Sequence, residues 1–284
     1  MNLLTRAIGT VALSGLATAA PAAATLVTSS TFDGNVAATV AAFPAAGASA
    51  PSGSLLVSGV PAGSTILSAT LYADNYFQSV TPSAVFGATN LGSVSAFGTS
   101  GDASNYKWDV TGLVTGSGSF SASASGLTNN YGLALVVVFS NASLPLGRVV
   151  VNDGAQDFNN AGVGAGNATL FNAFAGPAAV WIHTGADNTI QSNETISLNG
   201  TVIGGPIDEN IGGFASLFQL FGTAVNGLNT VTINSPQGDV FDWDIAVLQT
   251  SPGGSSSVPE PATLLLLGSG LVALGRLAWR RRRS

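Results

Sequence analysis

The sequence contains no cysteine and only one histidine, His183, among its 284 residues. Disulfide bonds and thiolate catalysis are therefore excluded, and a zinc site is not expected because such sites use several cysteine or histidine ligands. A Ser-His-Asp triad would have to use His183, and no Gly-x-Ser-x-Gly motif surrounds any serine. We expect His183 to be a strand-end residue with a hydrogen-bonded ring, and we expect the protein not to be an enzyme.

Charged residues are also scarce, because Asp, Glu, Lys and Arg make up only 8% of the chain. Six of the eight basic residues lie near the two ends of the chain: Arg6, Arg276, Arg280, Arg281, Arg282 and Arg283. Between residues 25 and 257 only Lys107 and Arg148 are basic, against thirteen acidic residues, so this segment carries a net charge of about −11. Nucleic acid and anionic lipid are poor partners for such a surface, whereas cations or an uncharged polysaccharide suit it.

The N-terminus has the features of a secretory signal peptide. Arg6 supplies the positive charge, residues 8–20 are apolar, and Ala22 and Ala24 provide the small side chains of a cleavage site. We therefore expect residues 1–24 to form a signal helix that is removed after Ala24.

The C-terminus combines a proline motif, an apolar segment and an arginine cluster. The motif consists of Val258, Pro259, Glu260 and Pro261. Its prolines favour an extended backbone because proline restricts φ and disfavours helix in the preceding residue. Residues 262–275 form a candidate hydrophobic helix of about 21 Å, which is short for a hydrocarbon core of about 30 Å. Arg276 and the cluster at 280–283 are expected to stop transfer on the cytoplasmic side, which leaves the body of the protein outside.

In motif, order and position, this tail resembles the PEP-CTERM sorting signal of Gram-negative bacteria. The resemblance implies a membrane-embedded exosortase as the processing partner, transient anchoring in the inner membrane, and removal of the tail. It also implies delivery of the body to the cell surface or to an extracellular matrix. A generic C-terminal anchor is the alternative. The Gly- and Ser-rich residues 251–257 are expected to be a flexible linker in front of the sorting signal at 258–284.

Residues 25–250 are predicted to form one all-β domain, an antiparallel β-sandwich of jelly-roll-like type. Short β-branched and aromatic runs recur there between turn residues. Residues 26–32 and 36–43 are expected to form a hairpin across Asp33-Gly34-Asn35, and Asn199-Gly200 is the strongest hairpin turn signal in the chain. Residues 66–77 alternate between a buried and a wet face.

Four further segments complete the fold prediction. Residues 131–139 are apolar at both parities, which predicts a strand covered on both faces. Residues 148–153 are expected to pair back on that strand, and residues 111–114 to form a short helical turn. Residues 213–222 are predicted to be a helix or a loop plug. Near the end, Phe241, Trp243, Ile245 and Val247 are expected to share one face of a strand, with Asp242 and Asp244 on the other.

A second resemblance concerns the middle of this domain. The segments at 108–114, 131–139 and 144–154 roughly match the patterns "D-V-T-x-x-V", "L-V-V-V-Y" and "L-P-x-R-x-I-x-x-x-D-G". They depart from them in having Phe139-Ser140 where the family has an aromatic-acidic pair, and two residues rather than one between Pro145 and Arg148. They resemble an uncharacterised β domain of large bacterial and archaeal surface proteins, including adhesins. This resemblance implies an extracellular β-sandwich and brings no catalytic residues with it.

Four acidic residues are candidate calcium ligands: Asp153, Asp157, Asp239 and Asp242. Calcium binds six to eight oxygen atoms, which loop carboxylates, amides and backbone carbonyls can supply. We expect two oxygen-rich loops, one around residues 152–157 and one around residues 237–242. Neither has the spacing of an EF-hand, and turn residues on a solvated negative surface are the alternative.

The sequence therefore predicts an exported protein of the cell surface or exopolysaccharide matrix, such as that of a biofilm, with a structural or adhesive role. The alternative is a secreted module that binds or cleaves carbohydrate. Calcium is a candidate stabiliser in either case.

Overall fold

The computed structural model describes residues 26–77, 79–158, 167–187, 194–235 and 240–251. The predicted signal helix, most of the predicted linker, the sorting signal and its hydrophobic helix lie outside these residues. The described residues form eighteen β-strands and one 3-10 helix, Thr111–Leu113. The predicted helical turn at residues 111–114 is therefore confirmed.

In chain order the strands are β1 (Leu26–Gly34), β2 (Val36–Ala48), β3 (Ser52–Val57), β4 (Thr65–Tyr76), β5 (Ser83–Phe86), β6 (Thr89–Ser93), β7 (Gly98–Ser100), β8 (Ala103–Asp109), β9 (Gly118–Ser125), β10 (Asn130–Ser140), β11 (Gly147–Asp157), β12 (Asn167–Ala173), β13 (Gly176–Gly185), β14 (Thr195–Leu198), β15 (Thr201–Gly204), β16 (Ser216–Ala224), β17 (Gly227–Asn234) and β18 (Asp242–Thr250).

These strands form four sheets, which we call A to D. Sheet A has the order β1-β11-β18-β13-β16, and sheet B has the order β2-β10-β4-β8-β7. Sheet C has the order β3-β9-β5-β6, and sheet D has the order β12-β17-β14-β15. All neighbouring strands in these sheets are antiparallel. The predicted antiparallel all-β class is confirmed.

Three apolar cores show that the sheets stack in the order C, B, A, D. Representative pairs from the C/B, B/A and A/D cores are Leu55 and Leu135, Val136 and Val247, and Phe171 and Ile182. The protein is thus built as two β-sandwiches, C with B and D with A, that share a third core between their inner sheets. A jelly roll has two sheets, whereas the described residues of this protein form four.

Strand β10 shows why the middle of the chain is so apolar. Leu135 and Val137 point into the C/B core, and Val136 and Val138 point into the B/A core. The prediction that residues 131–139 are covered on both faces is therefore confirmed.

Two predicted strand pairings are wrong. β1 pairs with β11 in sheet A and β2 pairs with β10 in sheet B, so no hairpin crosses Asp33-Gly34-Asn35. Likewise, β11 pairs with β1 and β18 rather than with β10. Burial outweighs the local turn signal here, because β10 and β11 reach the shared B/A core by facing each other from different sheets. Val136 and Val151 both lie in that core.

The short-range signals near the end of the chain give one correct and one wrong prediction. β14 and β15 form a hairpin across Asn199 and Gly200, whose φ angles are 51° and 79°, as the turn signal predicts. Residues 213–222 are not a helix or a loop plug, because Ser216–Ala224 form β16 at the edge of sheet A. Phe218 and Leu220 pack on the A/D core at a spacing of two residues, which is the period of a strand.

Candidate functional site

A groove opens between the edge strand β1 of sheet A and strands β4 and β8 of sheet B. Val136 and Val151 are buried residues in its lining. Four serine and threonine side chains also line it: Ser29, Ser30, Ser68 and Thr70. The cavity volume is about 250 Å³. The groove therefore presents a polar lining over an apolar base.

An ion pair between Lys107 and Asp153 crosses this groove and joins sheet B to sheet A. Lys107 Nζ lies 2.9 Å from Asp153 Oδ2 and 3.1 Å from Oδ1, and the Tyr72 hydroxyl donates to Oδ2 over 2.8 Å. The side chain of Asp153 is only 3% exposed, whereas that of Lys107 is 34% exposed. Burial, followed by the charge of Asp153, raises the pKa of Tyr72 well above its ordinary value. The phenol therefore stays protonated and can donate this hydrogen bond.

A second cavity of about 330 Å³ lies beside the same ion pair. Both cavities are lined by Ser29, Lys107 and Asp153. Phe97 lines the second cavity, and Lys107 Nζ lies 4.4 Å from the centre of its ring. The two cavities thus share their central residues and extend along the edge of β1.

Buried ionisable residues continue from the groove into the B/A interface. Asp74, His183, Asp242 and Asp244 are each only 1% exposed, and we call them the buried cluster. His183 Nδ1 lies 2.8 and 2.9 Å from the two carboxylate oxygens of Asp244. Asp74 Oδ1 accepts hydrogen bonds from Asn130 Nδ2 over 2.8 Å and from the backbone N–H groups of the next two residues.

Burial decides the protonation of this cluster. Burial, followed by the charge of Asp244, raises the pKa of Asp74 from 3.8 to about 7 and that of Asp242 well above its ordinary value. Burial lowers the pKa of His183, but the charge and hydrogen bond of Asp244 outweigh it, so the pKa lies above 6.5. The cluster can therefore bind and release protons near neutral pH, but it is closed to a substrate.

Sequence analysis identified His183 and missed its surroundings. His183 lies near the end of β13 and its Nδ1 is hydrogen-bonded, while its Nε2 has no partner among the described residues. The prediction of a solvent-exposed face on β4 is wrong from Tyr72 onwards, since Tyr72 and Asp74 are buried under sheet A. An alternating pattern does not reveal whether the polar face meets water or another sheet.

The structure brings two of the four candidate calcium ligands together, because Asp157 on β11 lies opposite Asp242 on β18 in the strand register. Asp153 and Asp157 lie in strand β11 rather than in a loop, because this segment pairs with both β1 and β18. Asp153 is bound by Lys107 and Tyr72, and Asp157 accepts hydrogen bonds from the Tyr76 hydroxyl and the Asp102 backbone N–H.

The second candidate loop is described only in part. Asp242 Oδ1 accepts a hydrogen bond from the Gln156 backbone N–H, and Asp239 lies outside the described residues. Within the described ranges, no group of three or more His, Asp or Glu side chains is placed to hold a metal ion. Calcium binding stays a prediction.

The C-terminal motif has a clear match among known protein families. Residues 257–283 match the PEP-CTERM protein-sorting motif. The chain carries a PEP-CTERM sorting signal. A signal of this kind implies export, transient attachment to the membrane and processing by an exosortase-type membrane enzyme.

The predicted motif at 258–261 and the arginines at 276 and 280–283 lie within the matched range, whereas Ala22 and Ala24 have no counterpart in it. The part of the chain that the structure describes contains no helix with the length and hydrophobicity of a membrane span.

Three solved structures show distant similarity to this chain. The Arthrobacter globiformis T6 isomalto-dextranase complexed with panose is 11% identical at a TM-score of 0.25, over 73% of this chain and 36% of that chain. A Pleurotus ostreatus lectin in complex with GalNAc is 11% identical at a TM-score of 0.21, over 77% of this chain and 74% of the lectin chain. A β-porphyranase of glycoside hydrolase family 86 from the human gut bacterium Bacteroides plebeius is 12% identical at a TM-score of 0.21. The match covers 76% of this chain and 36% of the porphyranase chain.

This chain spans about a third of the length of the two enzymes. At these TM-scores the three similarities support no assignment of activity. No curated protein matches the chain in sequence.

Proposed function

We propose that this PEP-CTERM protein has a structural or adhesive role at the cell surface or in an exopolysaccharide matrix. The observation that carries the proposal is the match of residues 257–283 to the sorting motif. The body supports it, because its four stacked sheets form three packed cores without cysteine. Packing can therefore stabilise the fold where disulfide bonds are absent.

We also propose that the role is not enzymatic. The only histidine is 1% exposed and its Nδ1 is bound to Asp244, so it has no access to a substrate. Of the two carboxylates that line the first cavity, Asp153 is held by Lys107 and Tyr72. A glycosidase needs a pair of carboxylates that can reach the sugar, so this arrangement favours binding over cleavage. Release of reducing sugar from polysaccharide substrates would contradict the proposal.

A carbohydrate-binding role is the second candidate. It is favoured by the hydroxyl-lined groove at the edge of β1. Asp153 and Asp157 already accept hydrogen bonds from protein donors, so calcium bound by either carboxylate would have to add to these contacts or replace them. Thermal unfolding with and without EDTA tests this, and an unchanged midpoint rejects calcium as a stabiliser.

The export proposal is tested by replacing the sorting motif in the full chain. In a host that has an exosortase, we expect the wild-type protein to reach the surface or medium without its arginine tail. The triple variant Pro259→Ala, Glu260→Ala, Pro261→Ala should keep the tail and stay in the inner membrane. Cell fractionation with mass spectrometry of both termini measures the outcome and also locates the signal cleavage predicted after Ala24.

Pro252→Ala is the matched control, because it replaces a proline upstream of the motif. It should be processed like the wild type. Full-length wild-type protein that is soluble in the cytosol with its arginine tail intact would contradict the proposal.

A further inference from the structure

We propose that the groove between β1 and strands β4 and β8 binds an uncharged polysaccharide chain. The inference rests on the proposed function, because it names a ligand class that would hold an exported protein in a matrix. The ligand would lie along β1 and contact both cavities beside the Lys107–Asp153 ion pair.

The polar groups of the groove suit a ligand with many hydroxyl groups. A serine or threonine hydroxyl can both donate and accept a hydrogen bond, as a sugar hydroxyl can. Ser30, Ser68 and Thr70 line the first cavity without being fully buried. Ser29 donates to the Val151 carbonyl over 3.3 Å and keeps its lone pairs for a ligand donor. The ammonium group of Lys107 adds a donor that is partly exposed.

The charges of the groove favour a neutral ligand over an anionic one. Asp153 neutralises Lys107, and the remaining charged residue in the lining of the first cavity is the exposed carboxylate Asp109. The segment from residue 25 to residue 257 carries a net charge of about −11, so an acidic polysaccharide would be repelled at long range. A neutral polysaccharide is repelled neither by Asp109 nor by the net negative charge of the protein.

The size of the groove favours a polymer over a single sugar. The two cavities measure about 250 and 330 Å³ and share Ser29, Lys107 and Asp153. Each is near the lower end of the range of about 300–1,000 Å³ for small-molecule sites, so a monosaccharide could fill only one of them. We therefore expect affinity to rise with chain length until both cavities are occupied.

Affinity electrophoresis and calorimetry of the full chain test this site with dextran, galactomannan and arabinogalactan as neutral polymers and alginate as an acidic one. We expect at least one neutral polymer to bind and alginate not to bind. The double variant Ser30→Ala, Ser68→Ala should weaken that binding at least tenfold, because it removes one hydroxyl from each wall of the groove. Shorter oligosaccharides of the same polymer should bind more weakly.

The matched control is Ser54→Ala, Ser119→Ala, which removes two exposed serines from paired strands β3 and β9 of sheet C. It should bind like the wild type, and equal thermal midpoints for both double variants should show that both fold. The site is rejected if no neutral polymer binds, if the groove variant binds like the wild type, or if the control weakens binding equally. If the protein reaches the surface but binds no neutral polymer, the site is rejected and the export proposal stands. If the protein binds a neutral polymer but stays in the cytosol, the export proposal is rejected and the site stands.

Discussion

Asp74 shows at the scale of one residue how the shared core changes the chemistry of a side chain. Sheet A covers it, and the groups that face it from that sheet are His183, Asp242 and Asp244. A carboxylate that loses its water is harder to ionise, and neighbouring negative charges add to this effect. Folding therefore makes Asp74 bind its proton more tightly than it does in the unfolded chain.

We expect the free energy of unfolding to fall as the pH rises from about 4 to about 7. The pKa of Asp74 rises from 3.8 to about 7 on folding, so its contribution is fully present below pH 3.8 and is lost as pH rises through about 7. His183 acts in the same direction, since its pKa in the fold lies above 6.5. The loss from Asp74 is at most about 4 kcal/mol. Urea unfolding at several pH values measures it.

Asp74→Asn should flatten this pH dependence and raise stability near pH 8. The amide keeps an oxygen that can accept the hydrogen bonds of Asn130 and the backbone, but it does not titrate. Asp109→Asn is the control, because the pKa of this exposed carboxylate is lowered by its hydrogen bonds to Thr111 and it stays ionised throughout the range. An Asp74→Asn variant with the wild-type slope would contradict the assignment.

The Lys107–Asp153 ion pair makes a second prediction at the residue scale. Lys107→Met should destabilise the protein by about 1–3 kcal/mol, because it leaves a carboxylate that is 3% exposed with only the Tyr72 hydroxyl and no countercharge. Asp153→Asn in the same chain should recover part of the loss. Chemical denaturation of the two single variants and the double variant measures the coupling.

Arg148→Met provides the matched control for this pair. Arg148 binds Asp33 through two hydrogen bonds, but the Asp33 side chain is 53% exposed. Exposed ion pairs contribute about 0–1 kcal/mol. Equal losses from the two substitutions would show that burial of Asp153 does not matter.

Strand β18 shows at the scale of one element how a local irregularity changes the core into which side chains point. The sequence predicts that Phe241, Trp243, Ile245 and Val247 share one face, and this is wrong. Phe241 and Trp243 lie in the A/D core, whereas Ile245 and Val247 lie in the B/A core. The pairing of β18 with both of its neighbours is irregular at this point, which reverses the direction of the side chains. Asp242 and Asp244 are buried because sheets B and D cover both faces of sheet A.

Substitution of Gly98 tests the close contact between β7 and β11. A Cβ atom at this position would lie 2.7 Å from the Gly154 carbonyl carbon and 2.9 Å from the Ala155 nitrogen. Because both atoms belong to a backbone that cannot move freely, we expect Gly98→Ala to destabilise the protein by about 1–3 kcal/mol. Gly112→Ala is the control, since a Cβ there would meet nothing within 4 Å. Urea denaturation of both variants measures the difference, and equal stabilities would contradict the contact.

At the scale of the whole molecule, the two sandwiches are tied together in two ways. They share the core between sheets A and B, and β1 joins the second sandwich although β2 directly after it belongs to the first. Neither half can unfold without exposing the apolar face of the other. We therefore expect the described part of the protein to unfold as one cooperative unit.

Three tryptophans report on this cooperativity, because Trp108, Trp181 and Trp243 lie in the C/B, B/A and A/D cores. In protein labelled with 5-fluorotryptophan, the native fluorine NMR signals of all three should disappear at the same urea concentration. Loss of the Trp108 signal at a clearly different concentration from that of Trp243 would show two independent sandwiches.

The sequence by itself determined the sorting signal, the antiparallel β class, the turn at Asn199-Gly200 and the two-sided burial of β10. These features depend on local chemistry and on the period of the side chains, both of which can be read along the chain. The tertiary structure alone decided the four layers, the strand order and the surroundings of Asp74. Lys107 and Asp153 lie 46 residues apart in the chain, and only the packing of sheet A on sheet B brings them together. A polar strand face looks the same in sequence whether water or a second sheet covers it, so the groove and the buried cluster emerge only from that packing.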